Sequence, residues 1–164
     1  MATIRYAIVL LAIAVLFPAC SKSDDKAMQP LLEQIAHGSE SELGKVVYGY
    51  SQASTGAQQV LVGMLRPLRA PSVEKQMKVE ATREAGRFTM LVVQVPWGAA
   101  TQPLPPSSKT ELQPIIVCQE DSQWKVVGYV LPFNDIFHHF RGQDSQDIMQ
   151  LSQWWIQTYA RPQQ

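Results

Sequence analysis

The sequence predicts an α+β fold in which N-terminal helices pack on a four-stranded antiparallel sheet of two hairpins, with a C-terminal amphipathic helix added at the end. Two observations lead to this prediction. Apolar residues recur at intervals of three and four as far as Leu68, and the period then changes to two. The alternating segments come in two pairs, each joined by a short turn, which is the pattern of β-hairpins.

Three helices are predicted before the sheet. Pro30 is typical of the first position of a helix, so the first helix is expected to begin there. Ser39 and Glu42 have the spacing of a capping box, which predicts a second helix continuing toward Tyr50. A third helix follows Gly56 and ends at Pro67. Its apolar side consists of Val60, Leu61, Met64, Leu65 and Leu68.

The four predicted strands occupy residues 74–84, 87–95, 114–120 and 124–131. The first alternates apolar and polar residues, so it is expected to be half exposed. The second is apolar on both faces, which predicts a central position in the sheet. A long Pro-rich loop, residues 97–113, separates the two hairpins. The last helix is predicted over Asp144–Tyr159, with Ile148, Leu151 and Trp155 on its apolar side.

The chain has 164 residues, which suits a single domain with its own core. Its charge is balanced, with 14 basic and 14 acidic residues. Loss of residues 1–19 would remove only Arg5 and leave a net charge near −1. Because no excess of positive charge is available to neutralise phosphates, no nucleic-acid partner is predicted.

The N-terminus has the features of a cleaved export signal. Arg5 precedes an apolar run from Tyr6 to Phe17, and small residues follow it. Counted through Ala19, the run has 14 mostly apolar positions, whereas a helix that spans a bilayer needs about 20. A removable signal is therefore favoured over a permanent membrane anchor.

The end of the apolar run resembles a bacterial lipoprotein signal, in which a small residue directly precedes an obligatory cysteine. Ala19 and Cys20 match that pattern, while Phe17 and Pro18 depart from it. The resemblance implies that the chain is cut before Cys20 and that this cysteine carries lipid, with Ser21 favouring transport to an outer membrane. The alternative is ordinary signal peptidase, which prefers a small residue at the position that Phe17 would occupy.

Cleavage at this point divides the chain into a signal peptide, residues 1–19, a polar tether, residues 20–28, and a single α+β domain, residues 29–164. The chain has two cysteines, Cys20 and Cys118. If Cys20 carries lipid, Cys118 is alone in an oxidising compartment and is expected to be buried in its apolar strand. If Cys20 is not lipidated, a Cys20–Cys118 disulfide is the competing interpretation.

The strongest polar cluster contains Asp135, His138 and His139. On a helix the carboxylate would be placed to orient an imidazole, as in a general base or a pair of metal ligands. A structural role is favoured, because no distant third partner is evident. Cys118 lacks a neighbouring cation that would activate a nucleophile. The sequence also has no Gly-rich phosphate loop, Ser–His–Asp order or CxxC pair, so no cofactor and no metal are predicted, and a non-enzymatic role is favoured over an enzyme.

The last part of the chain is rich in aromatic residues. One interpretation is an element that lies in the membrane interface, where indole rings are favoured. The favoured interpretation is that Trp155 and its neighbours close the hydrophobic core over the sheet. Trp154 lies on the other side of the predicted helix, so it is a candidate anchor for a protein partner.

Residues 65–95 and 115–131 resemble a family of small secreted bacterial proteins of unknown function. The closing strand of that family has the pattern Trp-x-Val-x-Gly-Tyr, which is matched here by Trp124, Val126, Gly128 and Tyr129. More distantly, the order of helices and sheet is similar to the nuclear-transport-factor-two-like (SnoaL-like) cone fold. The resemblance covers roughly residues 40–131 and implies no assigned activity and no catalytic residues.

These features predict a lipoprotein of the bacterial cell envelope, tethered to the membrane through Cys20, whose domain binds another envelope protein or a small apolar ligand. The outer membrane, with the domain facing the periplasm, is favoured over the inner membrane. A soluble periplasmic or secreted protein is the alternative location. The competing function is a small-molecule carrier or enzyme with a cone-shaped pocket between sheet and helices, and with Asp135, His138 or His139 at its mouth.

Overall fold

In the part of the chain that the structure describes, three helices precede a four-stranded antiparallel sheet and a fourth helix follows it, so the predicted α+β fold is confirmed. The structure, a computed structural model, describes residues 25–97, 111–128 and 140–160. The helices are α1 (Asp25–His37), α2 (Glu40–Val46), α3 (Thr55–Met64) and α4 (Gln143–Trp155). Short 3-10 turns cover Tyr50–Gln52 and Arg66–Leu68, and a π-helical turn, Ile156–Ala160, extends α4. The strands are β1 (Lys78–Ala85), β2 (Phe88–Val95), β3 (Glu111–Glu120) and β4 (Gln123–Gly128).

The sheet has the order β1-β2-β3-β4, with every neighbouring pair antiparallel. Strand β2 is central, and seven of its eight residues are buried, as its two apolar faces predict. Strand β1 lies at one edge and is exposed at four of its eight positions, Lys78, Glu80, Arg83 and Glu84. Beside β4, Val47 forms a parallel bridge to Val126, which covers part of the other edge.

Both faces of the sheet are covered by helices, because side chains alternate along each strand. The face covered by α1, α2 and α3 buries an apolar cluster that includes Leu32, Ile35, Leu43, Leu91, Val93, Ile115 and Val117. The face covered by α4 buries a second cluster that includes Phe88, Met90, Ile116, Cys118, Ile148, Leu151 and Trp155. The domain therefore has three layers with two separate apolar cores.

The prediction that α1 begins at Pro30 is wrong, because the helix begins five residues earlier, at Asp25. Met28 in this added turn is 1% exposed and belongs to the core. Its burial favours helix on the N-terminal side of Pro30 despite the hydrogen bond that proline cannot donate. Pro30 itself is exposed, so the carbonyl that it leaves without a helical partner lies on the solvent side. The helix thus occupies part of the segment 20–28 that was predicted to be a tether.

Helix α2 begins at the predicted capping box and ends earlier than predicted. The Ser39 side chain accepts from the Glu42 backbone N–H, while the Glu42 carboxylate accepts from the Ser39 N–H. The hydrogen bonds that the Glu42 carboxylate accepts from the Ser39 N–H and from the Ser39 hydroxyl lower the pKa of Glu42. The helix stops at Val46 because Val47 is extended and pairs with β4, and Gly49 then takes a positive φ of 68°.

The predicted apolar side of α3 is correct for its last residues and wrong at its first. Leu65 and Leu68 are buried, whereas Val60 is 63% exposed and Val62 is buried in its place. The difference follows from the short length of the helix, since only its C-terminal end packs in the core. The exposed face of α3 is therefore partly apolar.

Two tight turns join the strands of the hairpins. Gly86 follows Ala85 with a φ of 55°, which a two-residue turn requires and glycine adopts without steric cost. In the second hairpin Asp121 and Ser122 have φ values of 49° and 62°. Positive φ at both central positions defines a type I′ turn, for which serine is a poor residue.

Replacing Ser122 with glycine is expected to stabilise the domain. Glycine removes the cost of a left-handed serine, so we expect the free energy of unfolding to rise by about 1 kcal/mol. Urea denaturation measures the change. Ser152→Gly in the middle of α4 is the matched control and should destabilise the protein, since glycine weakens helix interiors and this serine hydroxyl donates to the Ile148 carbonyl. A destabilised Ser122→Gly protein would contradict the turn assignment.

Candidate functional site

The predicted lipid-attachment residue, Cys20, lies outside the described residues. The same is true of the candidate polar cluster, Asp135, His138 and His139. Most of the Pro-rich loop, residues 98–110, also lies outside the described residues. The lipid attachment and the pocket-bearing alternative therefore remain predictions. Trp154, the candidate anchor for a partner, is described.

Trp154 is half-buried at the end of α4 and is held by two neighbours. The ring of Tyr159 meets it edge-on, with 5.7 Å between ring centroids. On β1 the guanidinium carbon of Arg83 lies 5.9 Å from the centroid of the Trp154 ring, within reach of a cation–π interaction. The indole is thus part of a packed aromatic corner, and only part of its surface faces solvent.

The rest of α4 packs on the sheet, which supports the core interpretation of the C-terminal aromatic segment. Ile148, Leu151 and Trp155 are each less than 5% exposed. Trp155 also stacks on Tyr159 at 5.0 Å between ring centroids. On the outer side of α4, Met149 remains 52% exposed. The buried face matches the apolar positions that the sequence pattern indicates.

The thiol of Cys118 lies in the apolar core beneath α4, as the sequence predicts. Cys118 is fully buried and has no disulfide partner among the described residues. Burial disfavours the charged thiolate and raises the pKa of the thiol to about 11. Since the thiolate is the reactive form, Cys118 has the properties of a structural residue.

Alkylation of Cys118 in the native protein is expected to be very slow. At pH 8 the folded protein should take up no iodoacetamide at this position, because the thiol is both neutral and inaccessible. In denaturant the same thiol should react fully within minutes. Peptide mass spectrometry of the two samples measures the difference. Rapid native labelling of Cys118 would show that α4 does not cover it.

An arginine at the first hairpin turn connects the sheet to α4. The Arg87 guanidinium donates to the Asp144 carboxylate at 2.8 Å. Its central carbon also lies 5.1, 5.5 and 5.7 Å from the ring centroids of Phe88, Phe140 and Tyr48. Burial acts to lower the pKa of Arg87, but its hydrogen bonds to Asp144 and Tyr48 outweigh this effect and raise it. Its partners are far apart in sequence, so no local pattern indicated this cluster.

The described residues line a smaller and a larger surface cavity, among others. The smaller, of about 300 Å³, lies beside the β1–β2 turn between Glu84, Thr89 and Trp124. The larger, of about 540 Å³, lies between α2 and α3 and is called the α2–α3 groove below. Its walls include Glu40 and Ser41 of α2, and Gln58 and Gln59 of α3. Tyr50 and Arg66, each from one of the short 3-10 turns, also line it. Volumes of about 300–1,000 Å³ are typical of small-ligand sites.

The α2–α3 groove is the candidate binding site because its walls are polar and fixed by local structure. Ser54 caps α3 by accepting from the Ala57 backbone N–H. The Gln58 side chain donates to the Tyr50 carbonyl at 3.0 Å, which ties the helix to the preceding turn. Sequence patterns did not indicate the groove, because the glutamines that form it look like ordinary surface residues.

Within residues 25–97, 111–128 and 140–160, no group of three or more His, Cys, Asp or Glu side chains is placed to hold a metal ion. None of the helices in these same ranges is long and apolar enough to cross a membrane. The chain matches no protein-family model, no curated protein and no solved structure. The family resemblance therefore stays a prediction, and only the chain's own chemistry bears on function.

Proposed function

We propose that this protein is a lipid-anchored binding domain of the bacterial cell envelope, attached to the membrane through Cys20. The observation that carries the proposal is the position of Cys20, directly after an apolar run and five residues before the first residue of α1. Five extended residues span about 17 Å at most, so an anchor at Cys20 would hold the domain close to the membrane surface. Ser21 favours the outer membrane, with the domain facing the periplasm.

The environment of Cys118 supports a separate role for Cys20. Helix α1, which follows Cys20, packs on the face of the sheet opposite to Cys118. A disulfide needs Cα atoms within about 7 Å of each other, and Cys118 is shielded by α4 on its own face. These positions favour lipidation of Cys20 over a Cys20–Cys118 disulfide.

The experiment is replacement of Cys20 with serine in the full chain, expressed in a bacterium with a lipoprotein pathway. We expect precursor that retains residues 1–19 to accumulate, with no incorporation of labelled fatty acid. Cys118→Ala is the matched control: it removes the other cysteine and should leave processing and fatty-acid labelling as in the wild type. Gel mobility, fatty-acid labelling and membrane fractionation measure the outcome.

The proposal would be wrong if Cys20→Ser protein were cut and released like the wild type. It would also be wrong if the wild-type protein carried no fatty acid. Loss of labelling in both cysteine variants would indicate a folding defect instead, and thermal unfolding of the Cys118→Ala protein identifies that case.

A further inference from the structure

The α2–α3 groove has walls that suit an uncharged polar ligand. Three residues with hydroxyl groups, Ser41, Tyr50 and Thr55, line it together with two residues with amides, Gln58 and Gln59. Hydroxyl and amide groups each donate and accept hydrogen bonds. A ligand with many hydroxyl groups could therefore both donate hydrogen bonds to these walls and accept hydrogen bonds from them.

The charges at the groove balance each other. Glu40 and Arg66, at its rim, form an ion pair with 3.6 Å between a carboxylate oxygen and a guanidinium nitrogen. Their side chains are 80% and 73% exposed, so water screens the pair and its contribution to stability is small. Because one carboxylate faces one guanidinium, the groove offers no net attraction to a strongly anionic or cationic ligand.

The groove also contains one aromatic ring in a fixed position. Tyr50 is half-buried against Gly44 of α2, where a Cβ atom would lie 2.6 Å from the ring carbons. Glycine at this position therefore lets the ring approach the helix backbone closely. Tyr50 also lines the groove among polar residues, and an aromatic ring is the kind of surface on which the apolar face of a sugar ring packs.

The two glutamines add a preference for amide groups. Gln58 is held by its hydrogen bond to the Tyr50 carbonyl, while Gln59 is exposed at the groove. A side-chain amide carries both donors and an acceptor, so it can donate to the carbonyl of an acetamido group or accept from its N–H. Val62, which is only 7% exposed, gives the groove an apolar base between these groups.

We infer that the α2–α3 groove binds a neutral oligosaccharide that carries acetamido groups. The inference rests on the proposed function in one respect, since it names the ligand class of the binding domain that the anchor would hold at the membrane. The groove itself is formed by α2, α3 and the turns beside them, and no residue of the anchor takes part.

The test is a titration of the full chain, purified in a detergent without sugar groups, with the uncharged tetramer of N-acetylglucosamine. We expect saturable binding by saturation-transfer NMR and calorimetry.

Gln59→Ala should weaken the binding of the tetramer at least fivefold, because it removes an exposed hydrogen-bonding side chain from the wall of the groove. Gln150→Ala is the matched control: this glutamine is exposed on α4, which covers the opposite face of the sheet, and its loss should leave affinity within twofold. The deacetylated, cationic tetramer should bind at least tenfold more weakly.

Absence of binding, or equal binding by the wild type and Gln59→Ala, would overturn the inference. Preference for a short uncharged peptide over the sugar tetramer would also overturn it. The Cys20→Ser protein separates this inference from the anchor: we expect it to bind the tetramer as the wild type does. If it binds but is released from cells normally, only the anchor proposal fails.

Discussion

Replacement of Gly86 with alanine is expected to lower the free energy of unfolding by about 3 kcal/mol. Gly86 has a φ of 55°, where an alanine costs about 1–2 kcal/mol. A Cβ atom at this position would also lie 1.9 Å from Oδ2 of the buried Asp147. The carboxylate would have to move, which disturbs the 2.8 Å hydrogen bond that it accepts from Gln143, at a cost of about 1–2 kcal/mol.

The matched control for this substitution is Gly56→Ala in α3. Nothing lies within 4 Å of a Cβ atom built on Gly56, and its φ is ordinary for a helix. Alanine is the better helix former, so this variant should be unchanged or more stable by up to about 1 kcal/mol. Chemical denaturation of both variants compares them. If both substitutions changed the free energy of unfolding equally, the result would contradict the close approach of α4 to the hairpin turn.

Leu151→Ala is expected to destabilise the domain by about 3 kcal/mol, because it removes a fully buried side chain of α4. Deletions of this kind leave a cavity and cost about 2–5 kcal/mol. The prediction also distinguishes the two interpretations of the C-terminal segment. A helix that closes the core contributes to stability in solution, whereas a helix that only lies on a membrane contributes little when no membrane is present.

Met149→Ala is the control on the same helix. Met149 is 52% exposed, so its loss should change stability by no more than about 0.5 kcal/mol. Both variants should be compared by thermal and urea unfolding in the absence of lipid. If Leu151→Ala were as stable as Met149→Ala, α4 would not be part of the core.

Periodicity predicted the elements whose exposure follows a simple pattern. Along each strand, apolar and polar residues either alternate or give way to an apolar run. All four strands were therefore predicted, and β2 was correctly placed at the centre. The apolar positions of α4 were correct for the same reason. Helix ends were less predictable: Pro30 lies inside α1 because the burial of Met28 outweighs the local preference of proline.

The candidate site depended on contacts that no local pattern contains. The α2–α3 groove joins the first turn of α2 to residues of α3 and Arg66, and its chemistry comes from common surface residues. The contact between Gly86 and Asp147 likewise joins positions on separate elements. Asp135, His138 and His139 were candidates because histidine and aspartate suggest chemistry by residue type, and these residues lie outside the described ranges.

The most direct test of the proposed anchor is the mass of the mature protein, extracted from membranes in detergent and analysed intact and as its N-terminal peptide. We predict a chain that begins at Cys20 and carries a diacylglyceryl group on its sulfur. In denaturant this protein should show one free thiol, that of Cys118. An unmodified Cys20, or a mature chain that begins at any other residue, would contradict the proposal that the protein is held in the envelope by lipid.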